Sequence, residues 1–355
     1  MRVVVVTTSF PRTAEDPSGH FVRSSAQALL DEGHEVHVIA PGGSVFDPPR
    51  EKGGLVVHRA GGGELFAWPG AIARAKEAPW RLALAAPFAT GVLARLRAIG
   101  VIDRAVAHWI VPSAFPLLLG VTAPLEVVAH GADVRFLLAM PRPLRERVLR
   151  ALVDRGAHFT FAAGALLDAL EQTVSRALAA DLARVARVEP PAIDVPHIGP
   201  RAAELRATLG LREGEILVVT VARLIPSKRV ELSIDAARAL AGDARLLVIG
   251  DGPERNALAK RAESLGEAVR FLGAIPRREA LSWVAAADLL LHPSAVEAAP
   301  TVIREARALG VPVVACDAGD VAVWAHDDRG IQVVEGRADA LAAAVRALGP
   351  RRDSP

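Results

Sequence analysis

The sequence has a single cysteine, Cys316, no tyrosine and only four lysines among its 355 residues. One cysteine excludes an internal disulfide framework and a cysteine-rich metal site, and it fits a reducing compartment. The formal net charge of +2 is too small to indicate a nucleic acid partner. The Met1–Thr8 run has no basic leader, and no apolar run reaches about 18–20 residues. We therefore expect a cytoplasmic protein without a signal peptide or a transmembrane helix.

Several motifs that mark common nucleotide-binding enzymes are also missing. No Gly-x-Gly-x-x-Gly follows the first predicted strand, which argues against a nicotinamide-dependent dehydrogenase, and no phosphate-loop Gly-Lys-Ser/Thr is present. No Asp-x-Asp ends a strand, so the sequence offers no obvious site for a divalent ion. A departing diphosphate would then depend on cationic side chains, and we expect neither a metal nor another cofactor.

What the sequence does contain is a repeated alternation of strand and helix patterns. The β-branched run Arg2–Ser9 reads as a buried parallel strand, and Phe21–Glu32 has helical spacing. A proline-rich stretch, Glu189–Pro200, reads as a linker, and a second alternation runs from Ile216 to Leu348. The pattern predicts an α/β protein with two doubly wound, Rossmann-like domains, 1–196 and 197–355, facing a central cleft.

Ligands of such sheets bind at the carboxyl ends of the strands, so the residues that follow each strand are the candidates. Arg223 and Lys228 follow the predicted strand Ile216–Val221 and precede a helix. Two cations beside a helix N-terminus suit a diphosphate. A solvated basic loop is the alternative, and the rarity of lysine in this chain slightly favours the functional interpretation.

Two further loops of the second half have candidate residues. Gly250 and Gly252 would let the backbone approach a ligand, although a tight turn before a helix at Pro253 explains them equally. In the next loop, Pro300 is suited to the first helical position, which leaves the amides of Thr301 and Val302 for a phosphate.

Carboxylates flank that second loop. Glu297 and Glu305 can accept hydrogen bonds from hydroxyl-rich groups such as a hexose and a ribose. The alternative for Glu305 is a surface charge paired with Arg304 or Arg307. In the first half, His130 follows a strand and could contact a phosphate or a sugar, or be structural. Trp109 could form the floor of a sugar pocket or belong to the core.

Taken together, these loops resemble glycosyltransferase family four, retaining enzymes of the GT-B fold, of the type that builds bacterial surface polysaccharides and glycolipids. The likeness covers most of the chain and is strongest in the second half. The segments that carry it are Val221–Lys228, Ile249–Glu254, Val269–Gly273, Ser294–Glu305 and Gly310–Ala315, with Ser9–Pro11, Gly19–Val22, Gly33–Val36, Ala107–Trp109 and His130–Asp133 in the first half.

The resemblance implies a role for each of these positions. Arg223 and Lys228 would hold the donor diphosphate, Glu297 the donor sugar and Glu305 the ribose, while His130 would contact the donor near the reacting carbon. The resemblance also places further residues at the donor site, namely Gly19, Gly250, Gly252, Gly273, Ala274, Ile275, Pro300, Thr301 and Val302. It places His108, Trp109 and Asp133 on the acceptor side. In the family, a phosphate oxygen is thought to take the acceptor's proton, so no protein nucleophile is required.

The sequence also departs from the family pattern. Ala298 replaces the usual glycine after Glu297, and Ala318–Val323 replaces a Gly-Gly-x-Pro-Glu loop. These departures leave open a degenerate GT-B protein that binds a nucleotide sugar as a partner or regulator without transferring it. A sugar-nucleotide epimerase is a further rival.

The stretch 66–98 combines Trp68 and Trp80 with five basic residues and a single acidic one, Glu77. This composition fits an interfacial amphipathic helix, and a helix pair packed on the first sheet is the alternative. We expect a UDP- or GDP-sugar donor, a glycan or lipid-linked acceptor, and contact with the anionic inner face of the membrane.

Overall fold

The computed structural model describes residues 1–11, 19–67, 70–196 and 198–351. Contacts within it divide the chain into two compact units, Met1–Ala192 and Ile193–Pro355, here called the N-terminal and C-terminal units. The sequence placed this boundary after residue 196, within the same proline-rich stretch.

The N-terminal unit is built on one twisted sheet of eight strands. Its strands are β1 (Arg2–Val6), β2 (Glu35–Ala40), β3 (Arg50–Lys52), β4 (Leu55–Arg59), β5 (Arg104–His108), β6 (Leu125–Ala129), β7 (His158–Phe161) and β8 (Ala186–Val188). Their order across the sheet is β3-β4-β2-β1-β5-β6-β7-β8, and β3 pairs antiparallel with β4 while the other pairs are parallel. Its helices are α1 (His20–Asp31), α2 (Ala71–Glu77), α3 (Ala85–Ile99), α4 (Ala114–Gly120), α5 (Ala132–Ala139), α6 (Arg142–Asp154), α7 (Gly164–Glu171) and α8 (Arg176–Val185), with a 3₁₀ helix at Pro79–Leu84.

The C-terminal unit has a six-stranded sheet in which every pair is parallel. Its strands are β9 (Ile216–Val221), β10 (Ala244–Ile249), β11 (Val269–Gly273), β12 (Leu289–His292), β13 (Val313–Cys316) and β14 (Ile331–Val334), in the order β11-β10-β9-β12-β13-β14. Its helices are α9 (Gly199–Ala207), α10 (Val230–Ala239), α11 (Arg255–Ala262), α12 (Arg277–Ala286), α13 (Thr301–Ala308), α14 (Val321–Asp327) and α15 (Ala338–Leu348), with 3₁₀ turns at Pro226–Lys228 and Glu263–Ala268.

Alternate residues of the C-terminal strands enter two separate cores. Val218 of β9 packs with Ile234 of α10 on one face of the sheet, while its neighbour Val219 packs with Ile303 of α13 on the other. Because successive strand side chains point to opposite faces, a strand covered on both faces must be apolar throughout. The predicted doubly wound α/β architecture is thereby confirmed in this unit.

The helical stretch Pro79–Ile99 is, by length and composition, the one candidate membrane span among the described residues, and 28% of its apolar 18-residue window is buried. The sequence predicted no such segment because arginines interrupt it. One face packs on the N-terminal unit through Phe88, Val92 and Leu96. The buried guanidinium of Arg95 also donates to the carbonyls of Asp47 (2.5 Å) and Arg59 (3.0 Å). These contacts tie α3 to the rest of the unit.

Strand order determines which loops meet. β9 lies between β10 and β12, so the loops that follow these three strands lie side by side at the carboxyl edge of the C-terminal sheet. In the N-terminal sheet, β5 pairs with β6, which brings the loops carrying Trp109 and His130 together.

Candidate functional site

Hydrogen bonds join the loops that follow β9 and β12. The amide of Ala295 donates to the carbonyl of Ser227 at 2.9 Å. Arg229, in the left-handed region at φ 46°, donates to the carbonyls of Pro293 (2.7 Å) and Ser294 (3.2 Å). One backbone hydrogen bond and two from the Arg229 guanidinium therefore fix the position of Lys228 relative to the loop after β12.

Lys228 and Glu297 form an ion pair across these two loops. Lys228 Nζ lies 2.5 Å from Glu297 Oε1, and His292 Nε2, at the end of β12, lies 2.8 Å from the same oxygen. Burial raises the pKa of Glu297, but the hydrogen bond and charge of His292 and the charge of Lys228 outweigh it and hold the pKa at about 2. The site thus keeps an ionised carboxylate that is only 10% exposed.

The glycine loop after β10 packs closely against the loop after β9. A Cβ on Gly250 would lie 1.9 Å from the carbonyl oxygen of Ala222, and one on Gly252 would lie 2.4 Å from that of Leu224. The amide of Leu224 donates to the carbonyl of Asp251 at 2.9 Å. These glycines therefore serve the packing of two loops, with Arg223 exposed at the same edge. The predicted helix start at Pro253 is wrong, because α11 begins at Arg255.

Pro300 precedes α13 instead of opening it. Its backbone is extended (φ −65°, ψ 108°), and the helix begins at Thr301. The prediction that Pro300 is the first helical residue is therefore wrong by one residue. Thr301 and Val302 are the first two helical residues, four and five positions after Glu297. Their amides lie at the positive end of the helix dipole, as an anion site requires.

Glu305 is buried, and its charge is paired with a residue that the sequence did not suggest. Arg277, at the start of α12, donates to Glu305 Oε1 from Nη2 (2.6 Å) and Nε (3.1 Å). Of the two alternatives, Arg307 pairs with Asp328, while the charge of Glu305 also acts on Arg304. Arg277 also donates to the carbonyl of Asp194 at 2.6 Å, which links α12 to the start of the unit.

The end of β11 adjoins the glycine loop. The amide of Gly250 donates to the carbonyl of Gly273 at 2.8 Å, and Gly273 has a positive φ of 73°. Ala274, the next residue, is exposed, while Ile275 packs against the core of the unit. The predicted segment Gly273–Ile275 thus lies next to the loop that carries Gly250 and Gly252.

Two histidines form the centre of the predicted site in the N-terminal unit. His108 Nδ1 and His130 Nε2 are 2.8 Å apart, and the rings stack at 5.1 Å between centroids. Phe21 of α1 and Trp109 lie against the His130 ring, with centroids at 4.8 and 4.9 Å. Burial lowers the pKa of His108 to about 4. The pKa of His130 is also lowered, mainly by burial and to a smaller extent by the neighbouring His108. Both rings are therefore neutral at pH 7.

His108 and Asp133, which the resemblance places on the acceptor side, are each only 3% exposed. Asp133 accepts hydrogen bonds from the amides of Ile110 (2.8 Å), His130 (3.1 Å) and Gly131 (3.0 Å). Both residues thus make hydrogen bonds within the protein, and these bonds hold the loops that carry Trp109 and His130. Trp109 is half-buried and has a positive φ of 72°.

Gly19 opens α1 in the left-handed conformation, at φ 66°. A Cβ there would lie 2.2 Å from the carbonyl oxygen of Ser9, so packing against the end of β1 by itself requires glycine. Trp68 lies outside the described residues. Within the described ranges, no group of three or more His, Cys, Asp or Glu side chains is arranged to hold a metal ion.

The sequence patterns did not point to His292 or Arg277. His292 is the last residue of β12 and lies five residues before Glu297. Arg277 lies 28 residues before Glu305, and nothing in the sequence indicated that pairing. Both contacts depend on which strands are neighbours in the sheet.

Solved structures share this fold over nearly the whole chain. Sucrose-phosphate synthase from Thermosynechococcus elongatus matches with a TM-score of 0.75 and 21% identity, covering 98% of this chain and 90% of that one. The Anabaena protein HepE in complex with UDP and glucose matches with a TM-score of 0.69 and 22% identity, covering 98% and 89%. The two Rossmann-like units thus have the GT-B fold.

Sequence comparison then gives the family. Residues 202–349 match the model of the glycosyl transferases group 1 family. A GDP-mannose-dependent alpha-mannosyltransferase of Mycolicibacterium smegmatis is 30% identical over 333 residues, which cover 90% of this chain and 80% of that protein. The chain therefore belongs to the group 1 glycosyl transferases. This chain spans only 35% and 41% of the length of two other curated relatives that it matches.

Proposed function

We propose that this protein transfers a hexose from a UDP- or GDP-sugar to a glycan or lipid-linked acceptor, with retention of configuration and without a metal ion. The observation that carries the proposal is the buried Lys228–Glu297 pair at the carboxyl edge of the C-terminal sheet. The cation can stabilise the diphosphate leaving group of a nucleotide sugar, and the ionised carboxylate can accept hydrogen bonds from the hydroxyl groups of its sugar.

In this proposal the residues of the C-terminal unit divide the donor between them. Arg223 and Lys228 bind the diphosphate, and the amides of Thr301 and Val302 add the dipole of α13. Glu297 accepts hydrogen bonds from the sugar, Glu305 from the ribose, and the backbone of Gly273–Ile275 meets the base. The glycines at 250 and 252 keep the intervening loops close together.

The reaction forms a bond from the acceptor oxygen to the anomeric carbon as the bond from that carbon to the phosphate oxygen breaks. The acceptor proton passes to a phosphate oxygen of the departing diphosphate, whose negative charge Arg223 and Lys228 stabilise. The neutral His130 contributes a hydrogen bond near the reacting carbon. Support for a GDP- or UDP-linked donor comes from the GDP-mannose dependence named for the mycolicibacterial relative and from the UDP and glucose named in the HepE complex.

Ala298 is compatible with an active site. Among the described residues, the non-glycine positions with positive φ are Trp109, Arg229 and Ala241. Ala298 thus has an ordinary backbone, and its carbonyl accepts the amide of Asp320 at 3.2 Å. Gly319, whose Cβ would lie 2.2 Å from the same carbonyl oxygen, makes room for this residue. A methyl group at 298 is therefore accommodated without strain.

A two-stage experiment tests the function. Thermal stabilisation by a panel of UDP- and GDP-sugars identifies the donor, since a ligand at a hundred times its Kd stabilises by about 2.7 kcal/mol. Turnover with glycan and lipid-linked acceptors is then measured, with EDTA as the test of metal independence, and the anomeric configuration of the product is determined by NMR. Saturable binding with no donor consumption would instead indicate the degenerate binder, and donor conversion without an acceptor would indicate an epimerase.

We also propose that the Pro79–Ile99 stretch contacts the anionic inner face of the membrane. Trp80 and Leu82 are 63% and 55% exposed, and the Arg81 guanidinium lies 5.7 Å from the centroid of the Trp80 ring. Aromatic and aliphatic groups beside cations suit a bilayer interface. The contacts of Arg95 hold α3 on the protein, which favours a helix that lies on the surface of the membrane.

Flotation with phosphatidylglycerol vesicles tests this contact. We expect the wild type to float, and Trp80→Ala with Leu82→Ser to lose most of the bound fraction without a change in melting temperature. A variant at an exposed residue of the C-terminal unit, Val323→Ser, is the matched control. Failure of the wild type to float, or equal flotation of the double variant, would refute membrane contact through this face.

A further inference from the structure

His292 and Lys228 share one oxygen atom but are anchored very differently. His292 is the last residue of β12, whose register with β13 pairs it with Ala315, and its side chain is only 4% exposed. Lys228 ends a short 3₁₀ turn, has four rotatable side-chain bonds and is 17% exposed. The imidazole is therefore the fixed partner of Glu297, and the ammonium is the partner that can move.

The convergence on one oxygen sets the direction of the carboxylate. Within the described part of the chain, the two hydrogen bonds of Glu297 both end on Oε1, at 2.5 Å from Lys228 Nζ and 2.8 Å from His292 Nε2. In this contact Nε2 of His292 donates and the carboxylate oxygen of Glu297 accepts. Held in this way, the carboxylate presents Oε2 in a constant direction for a donor sugar.

Donor binding as proposed above changes the balance of charges around Glu297. Lys228 is needed by the diphosphate, which carries more negative charge than one carboxylate. When its ammonium turns to the phosphates, Glu297 keeps a single donor from the protein. A largely buried carboxylate left without any partner would tend to take up a proton and become a weaker acceptor of hydrogen bonds from sugar hydroxyl groups.

We infer that His292 is a positioning residue that keeps Glu297 ionised and oriented while Lys228 changes its partner from the carboxylate to the donor diphosphate. This inference rests on the proposed function and assigns a role to a residue outside the family motif described above. His292 acts through Glu297 and does not itself touch the substrate.

The charges around Glu297 define a pH signature. Lys228 faces it from the loop after β9 and His292 from β12, while Arg229 is directed to the carbonyls of Pro293 and Ser294. The loop after β13 approaches through the amide of Asp320, which bonds Ala298. Loss of the His292 hydrogen bond raises the pKa of Glu297, so the acidic limb of the activity profile moves to higher pH.

Two substitutions separate positioning from simple packing. His292→Leu fills the space without a donor, and His292→Gln places an amide N–H near the Nε2 position. We expect His292→Leu to lower kcat/KM for the nucleotide sugar by about tenfold or more and to move the acidic limb upward, while affinity for UDP or GDP alone stays within about twofold. His292→Gln should recover most of the activity and the wild-type limb. His326→Leu, at an exposed histidine of α14, is the matched control.

The outcomes distinguish this inference from the proposed function. Equal loss in the Leu and Gln variants, an unmoved acidic limb in His292→Leu, or an equal loss of nucleoside diphosphate affinity would overturn the positioning role while leaving sugar transfer intact. A folded wild type that binds neither nucleoside diphosphates nor nucleotide sugars would instead overturn the proposed function, and this inference with it.

Discussion

At the carboxyl edge of the N-terminal sheet, the polar cluster consists of two stacked neutral imidazoles, His108 and His130. At the equivalent edge of the C-terminal sheet, it consists of Lys228 and Glu297, held by His292. Burial opposes charge at both edges, but only the second provides an opposite charge within hydrogen-bonding distance. The same type of sheet therefore supports a neutral cluster in one unit and an ionised cluster in the other.

The largest effect is expected where loop packing supports the charged cluster. Gly250→Ala would place a Cβ 1.9 Å from the Ala222 carbonyl oxygen at a φ of 130°, so we expect a loss of about 3 kcal/mol or more in the free energy of unfolding. Gly210→Ala, at a positive φ but with no atom within 4 Å of the added carbon, should cost about 1 kcal/mol. Urea denaturation measures both. Equal losses would show that backbone conformation alone, and not the loop contact, requires glycine.

As the pH falls, we expect the neutral His108–His130 cluster to lose its contribution to stability before the ionised Lys228–Glu297 cluster does. Folding lowers the pKa of His108 from 6.5 to about 4, so its contribution to stability is complete above pH 6.5 and is lost as the pH falls toward 4. For this group alone we expect a loss of about 2 kcal/mol between pH 7 and pH 5. The lowered pKa of His58 adds to the loss in the same range. The stability that Glu297 contributes through its lowered pKa of about 2 is retained above pH 4.5 and is lost only below it.

The measurement is the free energy of unfolding against pH for the wild type and for His108→Asn, which keeps an amide near the Nδ1 position but does not titrate. The variant should show a shallower decline between pH 7 and pH 5. A wild-type curve that is flat over this range, or a variant curve that falls just as steeply, would show that His108 is not held neutral by the fold.

The smallest of the three effects concerns the ionised cluster and its ligand. Lys228→Ala should weaken binding of UDP or GDP at least tenfold, which corresponds to about 1.4 kcal/mol for a lost charge-assisted contact. Isothermal titration calorimetry measures it, and Lys260→Ala on the exposed side of α11 is the matched lysine control. Unchanged affinity in Lys228→Ala would remove this residue from the donor site.

The elements of the C-terminal unit could be predicted closely from the sequence. The bounds of β9 agree with the predicted strand Ile216–Val221, because fully buried parallel strands are short β-branched runs bounded by polar residues. The candidate loops followed from these strand ends. Lys228 and Glu297 were both identified, but their direct pairing depends on β9 and β12 being neighbours, and this order is not visible in a strand-by-strand reading.

The N-terminal unit was harder to predict because its site depends on side chains that pair across strands. His108 and His130 lie 22 residues apart in adjacent strands, and only their register brings Nδ1 and Nε2 together. The resemblance placed His108 on the acceptor side, whereas the structure buries it. The short strands β3 and β8 were also missed, since three residues carry too little pattern.

The Lys228–Glu297 contact joins residues 69 positions apart in the chain. Such a contact cannot form within a local supersecondary unit, because β10, β11 and their helices intervene. It exists only after β12 has inserted beside β9, so the nascent chain acquires its charged pocket late, when residues up to about Glu297 have been synthesised and have docked. A polypeptide cut between α12 and β12 would keep three adjacent strands and lose the carboxylate half of the pocket.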